Sequence, residues 1–531
     1  MINYGPQTGD SLYLNLPWFH FFAEEVLAGT PYPRWLTDMS AGAGSPVFFF
    51  YGAIPFYFTT LAAALFSEAS EGVQLGIGQY LIVLSSAITF YIFIRQHCAV
   101  MIAALGALLY ALAPYHFEMD LLFRQAIGEV TTFVWLPLIF LGIERLQTHC
   151  SALPLLAISY GLLVMTHLPT ALLCSPFFLI YCLVHYAYGK QIMHLGRFAL
   201  GILLGLSLSA CYLLPALLMQ QYIAVEYLWI NYFDYHRWFF LDGQVAPNSG
   251  DEARLFAIAV GNSVLFLLSW PLLYWISGRT PRPLVIMLML SFLGAWFLMT
   301  PLSGPLWHYL PVLQKVQFPW RVMVLQEFTV VTTVILTFSH SLAGRRGLRY
   351  LIAGAIAASM LVWVGYRAVG GYQEHLQLAD DPASQRSQHA QAVAGRGAKE
   401  YIPASVKTTR RDFLEKMSTL DQLVFDRRFG HIKVIEWQNR RVVLDADLKM
   451  STAVAVKQVY FPGWEVAVDD RLLQITPTRR FGLIRFEAPA GRNRIELVLR
   501  PLWPERLGWV LSAAGLLVIV LVAAIGSLGR R

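Results

Sequence analysis

The feature that most constrains this chain is a succession of long apolar runs. A helix that crosses a membrane needs about 20 predominantly apolar residues. Runs of this kind fall at 76–94, 99–114, 127–143, 152–168, 170–187, 198–217, 254–277, 283–300, 321–339, 350–366 and 507–527. Of all residues 56% are hydrophobic and only 14% charged, against about 25% charge in a soluble domain. The sequence therefore predicts an α-helical polytopic membrane protein of about eleven spans. The net charge of +7 reflects Lys and Arg on the loops of one side and gives no argument for nucleic acid. The opening residues lack the basic n-region and short apolar core of a signal peptide.

Basic residues choose the orientation. Arg95 with His97, Arg145, Lys190 with Arg197, Arg279 with Arg282, Arg345 to Arg349, and Arg530 with Arg531 all fall on one side. By the positive-inside rule that side is cytoplasmic. The run 46–67 is apolar enough to span, but then the basic clusters between 95 and 197 would lie outside. The rule favours an interfacial or re-entrant helix for 50–67. Pro46, Gly52 and Pro55, and the acidic exit at Glu68 and Glu71, suit that reading. The N-terminus is then outside and the C-terminus inside. Such a start expects either export of a short tail by the first span or a further span upstream, and the loop-like opening MINYGPQTGD favours the second. Residues 1–75, 115–126, 218–253, 301–320 and 367–506 face outward, rich in carboxylates, aromatics and prolines. Any chemistry is expected on that face.

The chain divides into an outward loop with interfacial helices (1–75), a bundle of about ten spans (76–366), a polar linker with helical pieces (367–430), a β-sandwich (431–505), and a last span with a cytoplasmic tail (506–531). The sandwich is read from short alternating runs: HIKVIEW, RRVVLDADL, TAVAVKQVY, WEVAVDD, FGLIRFEA and NRIELVLR. Turn signals such as Pro462-Gly463 and Ala490-Gly491 separate them. This region has no nucleophile elbow, metal cluster or glycine-rich phosphate loop, so it reads as a structural or carbohydrate-facing module. Cys98, Cys150, Cys174, Cys182 and Cys211 lie in or beside apolar runs, which favours apolar packing over disulfides.

The opening loop, from Gly9 to Tyr51, is broken by prolines and carries Asp10, His20, Glu24, Glu25, Arg34 and Asp38. Gly42 and Gly44 permit a tight backbone path there. With PYPRW (31–35), GAGSP (42–46) and FYGAIPFYFTTLAAALF (50–66), the order of features resembles the GT-C superfamily of polytopic glycosyltransferases. More narrowly, YPRW with GxGxP, DLLFRQAIGE (120–129), THLPTALL (166–173) and FPWR (318–321) resemble bacterial membrane proteins labelled 6-pyruvoyl-tetrahydropterin synthase-related. That label implies no pterin chemistry for these residues. YFPGWEVAVDD followed by APAGRNRIELVLRP and a last span resembles the C-terminal part of YfhO-type membrane proteins. The resemblance covers most of the chain. It implies a GT-C-like fold in a bacterial cytoplasmic membrane. The implied reaction moves a sugar from a polyprenyl-phosphate donor to a glycan, lipid or protein acceptor on the outer face. In that superfamily a first outward loop carries an essential acid, and Asp10 is the matching residue. The superfamily has a span before this loop, and this sequence begins without one.

Such a transfer needs a carboxylate to orient or deprotonate the acceptor hydroxyl and cationic donors or a metal on the leaving phosphate. Asp10 is the implied base, against a plain loop aspartate beside a turn. Asp120, Arg124 and Glu129 pack between two spans. If 120–129 is helical, Asp120, Arg124 and Gly128 share a face. Either the Asp120–Arg124 pair is interfacial glue, or Arg124 meets phosphate while Asp120 or Glu129 orients the acceptor or a divalent ion. Arg34 and Arg321, each beside Trp and Pro, bind phosphate or snorkel to headgroups. Arg237 joins them as a phosphate candidate, and His20, Tyr51, His116 and Asp234 as acceptor or sugar contacts. His20 and Glu24 have metal-compatible spacing, but two ligands are not a site. The competing class is non-enzymatic: a transporter or flippase of a lipid-linked glycan, or an accessory of an envelope complex. Against a transporter, no internal repeat is visible and the charges gather at one interface.

Overall fold

The computed structural model describes residues 9, 11–147, 149–242, 250–276, 282–344, 347–380, 399–469 and 471–528. Among them nine helices are long and apolar enough to cross a membrane: Glu71–Ile94, Val100–Phe123, Ile127–Arg145, Leu168–Gly189, Glu252–Ile276, Arg282–Met299, Pro319–Leu342, Leu348–Gln377 and Trp503–Ile525. Ile192–Leu208 and Ala210–Leu218 make a tenth if their 71° bend belongs to one broken span. This is a multi-pass helical membrane protein with a separate small antiparallel β domain. The expected span at 152–168 is instead the 14-residue helix Leu153–Thr166. At 1.5 Å per residue that is roughly 21 Å, short of a hydrocarbon core of about 30 Å. His167 takes an extended conformation and the chain restarts as a new helix at Leu168.

Two helices shape one end of the bundle. Leu12–Leu27 runs through Pro17 and buries Trp18, Phe19 and Phe22 against Phe48 and Phe56. Ile54–Leu65, of 12 residues, is roughly 18 Å long and too short to span. Between them the chain doubles back. Leu36 and Ser45 exchange both main-chain hydrogen bonds, at 2.9 and 3.0 Å. Gly44, at φ +82°, closes the turn where a Cβ would collide with the Trp35 ring.

The β domain has two sheets. One holds β1 (Leu423–Val424), β4 (Thr452–Val459) and β7 (Leu483–Ala488) in the order β1-β4-β7. The other holds β2 (Gly430–Gln438), β3 (Arg441–Leu448), β5 (Trp464–Val468), β6 (Arg471–Leu473) and β8 (Gly491–Leu499) in the order β2-β3-β8-β5-β6. Every pair is antiparallel. Alternation does the sorting: Trp464, Val466 and Val468 of β5 point inward, as do Ile495, Leu497 and Leu499 of β8. The core is not closed by the domain alone. Trp35, Ala43 and Phe49 of the opening stretch pack into it, as do Met219 and Ile223 beyond the bent helix pair.

Gln458 of β4 locks this junction. Its carbonyl accepts the Trp35 indole N–H at 3.0 Å. Its amide donates to Thr37 O at 3.1 Å and Gly42 O at 2.9 Å. Asn439 donates to Trp35 O at 2.6 Å, and Val459 N to Ala43 O at 2.7 Å. The opening stretch is thus held between the bundle and the β domain.

Candidate functional site

The site begins with an irregular helix. Residues Pro114–Phe123 wind as a π-helix, a form found mostly as short insertions and often at functional sites. A continuous helix over 120–129, which would put Asp120, Arg124 and Gly128 on one face, does not form. Gln125, at φ +54°, breaks it, and a new helix starts at Ile127. Glu327, buried in the helix Met323–Gly344, accepts the first main-chain N–H groups of the π-helix, Tyr115 N at 2.5 Å and His116 N at 2.9 Å. The carboxyl group thus supplies acceptors to two N–H groups that a helix start otherwise leaves orphaned.

Anchored in this way, the π-helix delivers Asp120 and Arg124 to the start of the next span. Arg124 Nη1 donates to Asp120 Oδ1 and, at 3.0 Å, to Glu129 Oε2. The same Glu129 oxygen lies 3.3 Å from Arg321 Nε. The other Glu129 oxygen accepts the Tyr115 hydroxyl. Arg321 also donates to Val316 O at 2.6 Å and to Gln317 Oε1 at 3.2 Å. The Arg124 guanidinium lies 4.3 Å from the centroid of the Trp320 ring. Two arginines therefore converge on one carboxylate oxygen. Asp120 and Glu129 are almost wholly buried, and Arg124 nearly so. Gly128 lets Tyr51 close over this turn, since a Cβ there would lie 2.9 Å from the Tyr51 hydroxyl.

Arg124, Glu129 and Arg321 line a cavity of about 640 Å³. Lys315, His167, Asn15 and Glu400 add polar groups to its wall, and Trp18, Tyr51 and Tyr401 add rings. Leu168, Leu172, Leu217, Leu228, Val312 and Val316 line the same cavity. Leu217 and Val312 are 47% and 49% exposed, so the cavity opens to the exterior past apolar side chains. Burial pushes the Tyr51 phenol up to about 12 and the Tyr401 phenol well above its ordinary value. Both hydroxyls stay protonated. Among the described residues no group of three or more His, Cys, Asp or Glu side chains could hold a metal ion.

The structure brings Asp120, Arg124, Glu129, Arg321 and Tyr51 together. Asp10 lies outside the described residues. Its neighbour Ser11 lines the cavity and donates its main-chain N–H to Arg124 O at 2.9 Å. Arg34 is elsewhere, 4% exposed. It binds Glu505 Oε2 at 3.1 Å and Cys211 O at 2.7 Å. Arg237 is exposed on the turn Tyr235–Trp238. Asp234 starts that turn and accepts from His236 N at 3.1 Å. His20 pairs with Glu71 at 2.9 Å. His116 is buried, stacked on Phe133 at 3.9 Å. None of these five lines the cavity.

Sequence reasoning passed over Glu327, Lys315, Trp18, Glu400 and Tyr401. Glu327 had a signal, an ionisable residue inside an apolar span. Glu400 and Tyr401 had none, because they follow a polar low-complexity stretch.

No protein-family model matches this chain, and no curated protein does. Among solved structures, the arabinofuranosyltransferase AftD from mycobacteria matches at a TM-score of 0.42 and 15% identity, over 71% of this chain and 25% of that one. This chain thus spans about a quarter of that protein's length.

Proposed function

We propose that this protein is a GT-C-type membrane glycosyltransferase of a bacterial cytoplasmic membrane, acting on the outer face with a sugar donor carried on polyprenyl phosphate. The observation that carries the reading is the mixed wall of the cavity. Arg124, Arg321 and Lys315 share it with a set of leucines and valines and an apolar opening. A ligand that satisfies both parts is an amphiphile with an anionic head. A sugar linked through phosphate to a polyprenyl chain has that form, and the resemblance of the sequence to GT-C enzymes points the same way.

On this reading Arg124 and Arg321 hold the phosphate and stabilise the charge it gathers as the bond to the sugar breaks. Glu129 occupies the two guanidiniums until the phosphate takes its place. Asp10, the implied acid of the opening loop and the residue before Ser11 in the sequence, orients the acceptor hydroxyl and takes its proton as it attacks the anomeric carbon. Asp120 fixes Arg124. The β domain holds the opening stretch against the bundle.

The test uses the full chain in nanodiscs. A labelled sugar is supplied on polyprenyl phosphate, and transfer to added glycan, lipid and peptide acceptors is measured. Asp10→Asn is expected to lower turnover by about 10²-fold or more. Arg321→Gln is expected to weaken binding of polyprenyl phosphate by roughly tenfold, the value of one charge-assisted hydrogen bond. No transfer by the wild type from any polyprenyl donor, with tight binding retained, would move the reading to a flippase or an accessory protein.

A further inference from the structure

We infer that Trp18, Tyr51 and Tyr401 form a saccharide subsite, so that the acceptor is a glycan presenting a sugar ring rather than a peptide or a bare lipid alcohol. This rests on the reading above for the word acceptor. The subsite itself stands on geometry. The Trp18 and Tyr51 ring centroids are 4.8 Å apart, and Tyr401 lies 6.0 Å from Trp18 and 6.4 Å from Tyr51. All three line the cavity, with Asn15 and Glu400 beside them.

A sugar ring offers two kinds of surface. Its C–H faces carry slight positive charge and settle on the electron-rich faces of aromatic rings. Its hydroxyls need donors and acceptors around the edge. The described residues supply both. Trp18 is 2% exposed, yet its indole Nε1 has no hydrogen-bond partner. An indole can only donate, and buried N–H groups are seldom left without an acceptor. A ring hydroxyl oxygen is an acceptor of the right kind, and the protonated Tyr51 and Tyr401 hydroxyls can donate or accept.

The source of these residues separates acceptor from donor. Tyr401 comes from the segment that leads into the β domain, outside the bundle. That segment is pinned by Ala224 N to Ile402 O at 3.1 Å and Ala404 N to Tyr222 O at 2.9 Å, which makes a fixed platform. The arginine cluster comes from the bundle itself. A lipid-borne donor reaches the cavity past Leu217 and Val312. An acceptor from outside meets Tyr401 on the side of the β domain.

The test is saturation-transfer NMR on the full chain in nanodiscs, with methyl hexopyranosides and methyl pentofuranosides as probes. At least one glycoside is expected to show transfer to its ring C–H protons. Trp18→Phe keeps a ring and removes the N–H, and should weaken that binding roughly fivefold, as for one hydrogen bond. Tyr401→Leu keeps bulk and removes the platform, and should abolish the signal. Both variants must elute as the wild type does. No transfer to any glycoside, or transfer that survives both substitutions, overturns the subsite. Binding of polyprenyl monophosphate, measured in parallel on the wild type and Arg321→Gln, reports separately on the donor reading. Saccharide binding without lipid-phosphate binding would leave the subsite standing and remove the donor.

Discussion

Two buried clusters in this protein are built from the same parts and do different things. In the cavity, Arg124 and Arg321 converge on one oxygen of Glu129, at 3.0 and 3.3 Å. At the junction with the β domain, Arg34 and Arg440 converge on one oxygen of Glu505, at 3.1 and 2.7 Å. The second cluster is closed by rings: Arg34 lies over Tyr32 at 4.4 Å and Trp509 at 5.2 Å, and Arg440 over Phe49 at 5.1 Å. It joins three parts of the chain far apart in sequence and lines no part of the cavity. The first cluster draws on Asp120 as a second acid and faces open volume. An Arg–Glu–Arg arrangement is therefore not by itself a mark of chemistry. What distinguishes the two is whether a ligand can reach the guanidiniums.

The largest expected effect follows at the junction. Glu505→Gln leaves the buried Arg34 and the partly buried Arg440 facing each other with no anion. Removing one partner from a buried ion pair typically costs 3–5 kcal/mol. The variant should melt well below the wild type in detergent and release its β domain sooner to trypsin. If its melting temperature is unchanged, the junction does not hold the domain.

Next comes the same change in the cavity. Glu129→Gln leaves Arg124 with Asp120 but frees Arg321 toward the cavity. Thermal stability should fall by less than in Glu505→Gln. Binding of polyprenyl phosphate should tighten by roughly tenfold, because an internal competitor for the arginines is gone. Equal loss of stability in the two variants, with no gain in anion binding, would make both clusters structural and break the contrast.

Gln458→Leu tests the junction from the other side. It keeps most of the bulk and removes an amide that serves Trp35, Thr37 and Gly42. Leaving buried partners unpaired costs about 1–3 kcal/mol. The loss should show as lowered melting temperature, with polyprenyl phosphate binding close to that of the wild type.

Which parts of this arrangement the sequence announced follows from how local the signal is. Spans depend on apolar length alone, so nine or ten of the eleven runs reappear as long helices. The run at 152–168 misled because apolar character does not report where His167 and Pro169 end a helix. Six of the eight strands of the β domain were legible through period-2 alternation; β1 and β6, of two and three residues, are too short to alternate. That Trp35 and Phe49 complete its core was not, since no pattern links residues some 400 positions apart. Asp120, Arg124 and Glu129 stood out as charges crowded between spans. Arg34 stood out equally, and only the position of Glu505 shows that it is held elsewhere. The aromatic group at Trp18 and Tyr401 had no signature, because aromatic residues are common along the connecting loops of this chain.

The smallest effect concerns a third pair, half exposed where the two clusters are buried. His20 on the helix Leu12–Leu27 meets Glu71 at 2.9 Å, with side chains 42% and 53% exposed. The hydrogen bond to Glu71 raises the His20 pKa above its ordinary value of 6.5. A raised folded-state pKa stabilises the protein below the unfolded value, and that stabilisation is lost as pH rises through the folded value. His20→Gln should therefore melt slightly below the wild type at pH 6 and level with it at pH 9. An exposed pair of this kind contributes at most about 1 kcal/mol, so the gap at pH 6 should be well under that caused by Gln458→Leu. A gap that persists unchanged at pH 9 would show that His20 acts through packing against Phe21, 4.7 Å away between ring centroids, and not through its charge. The three pairs would then no longer rank by the burial of their charges.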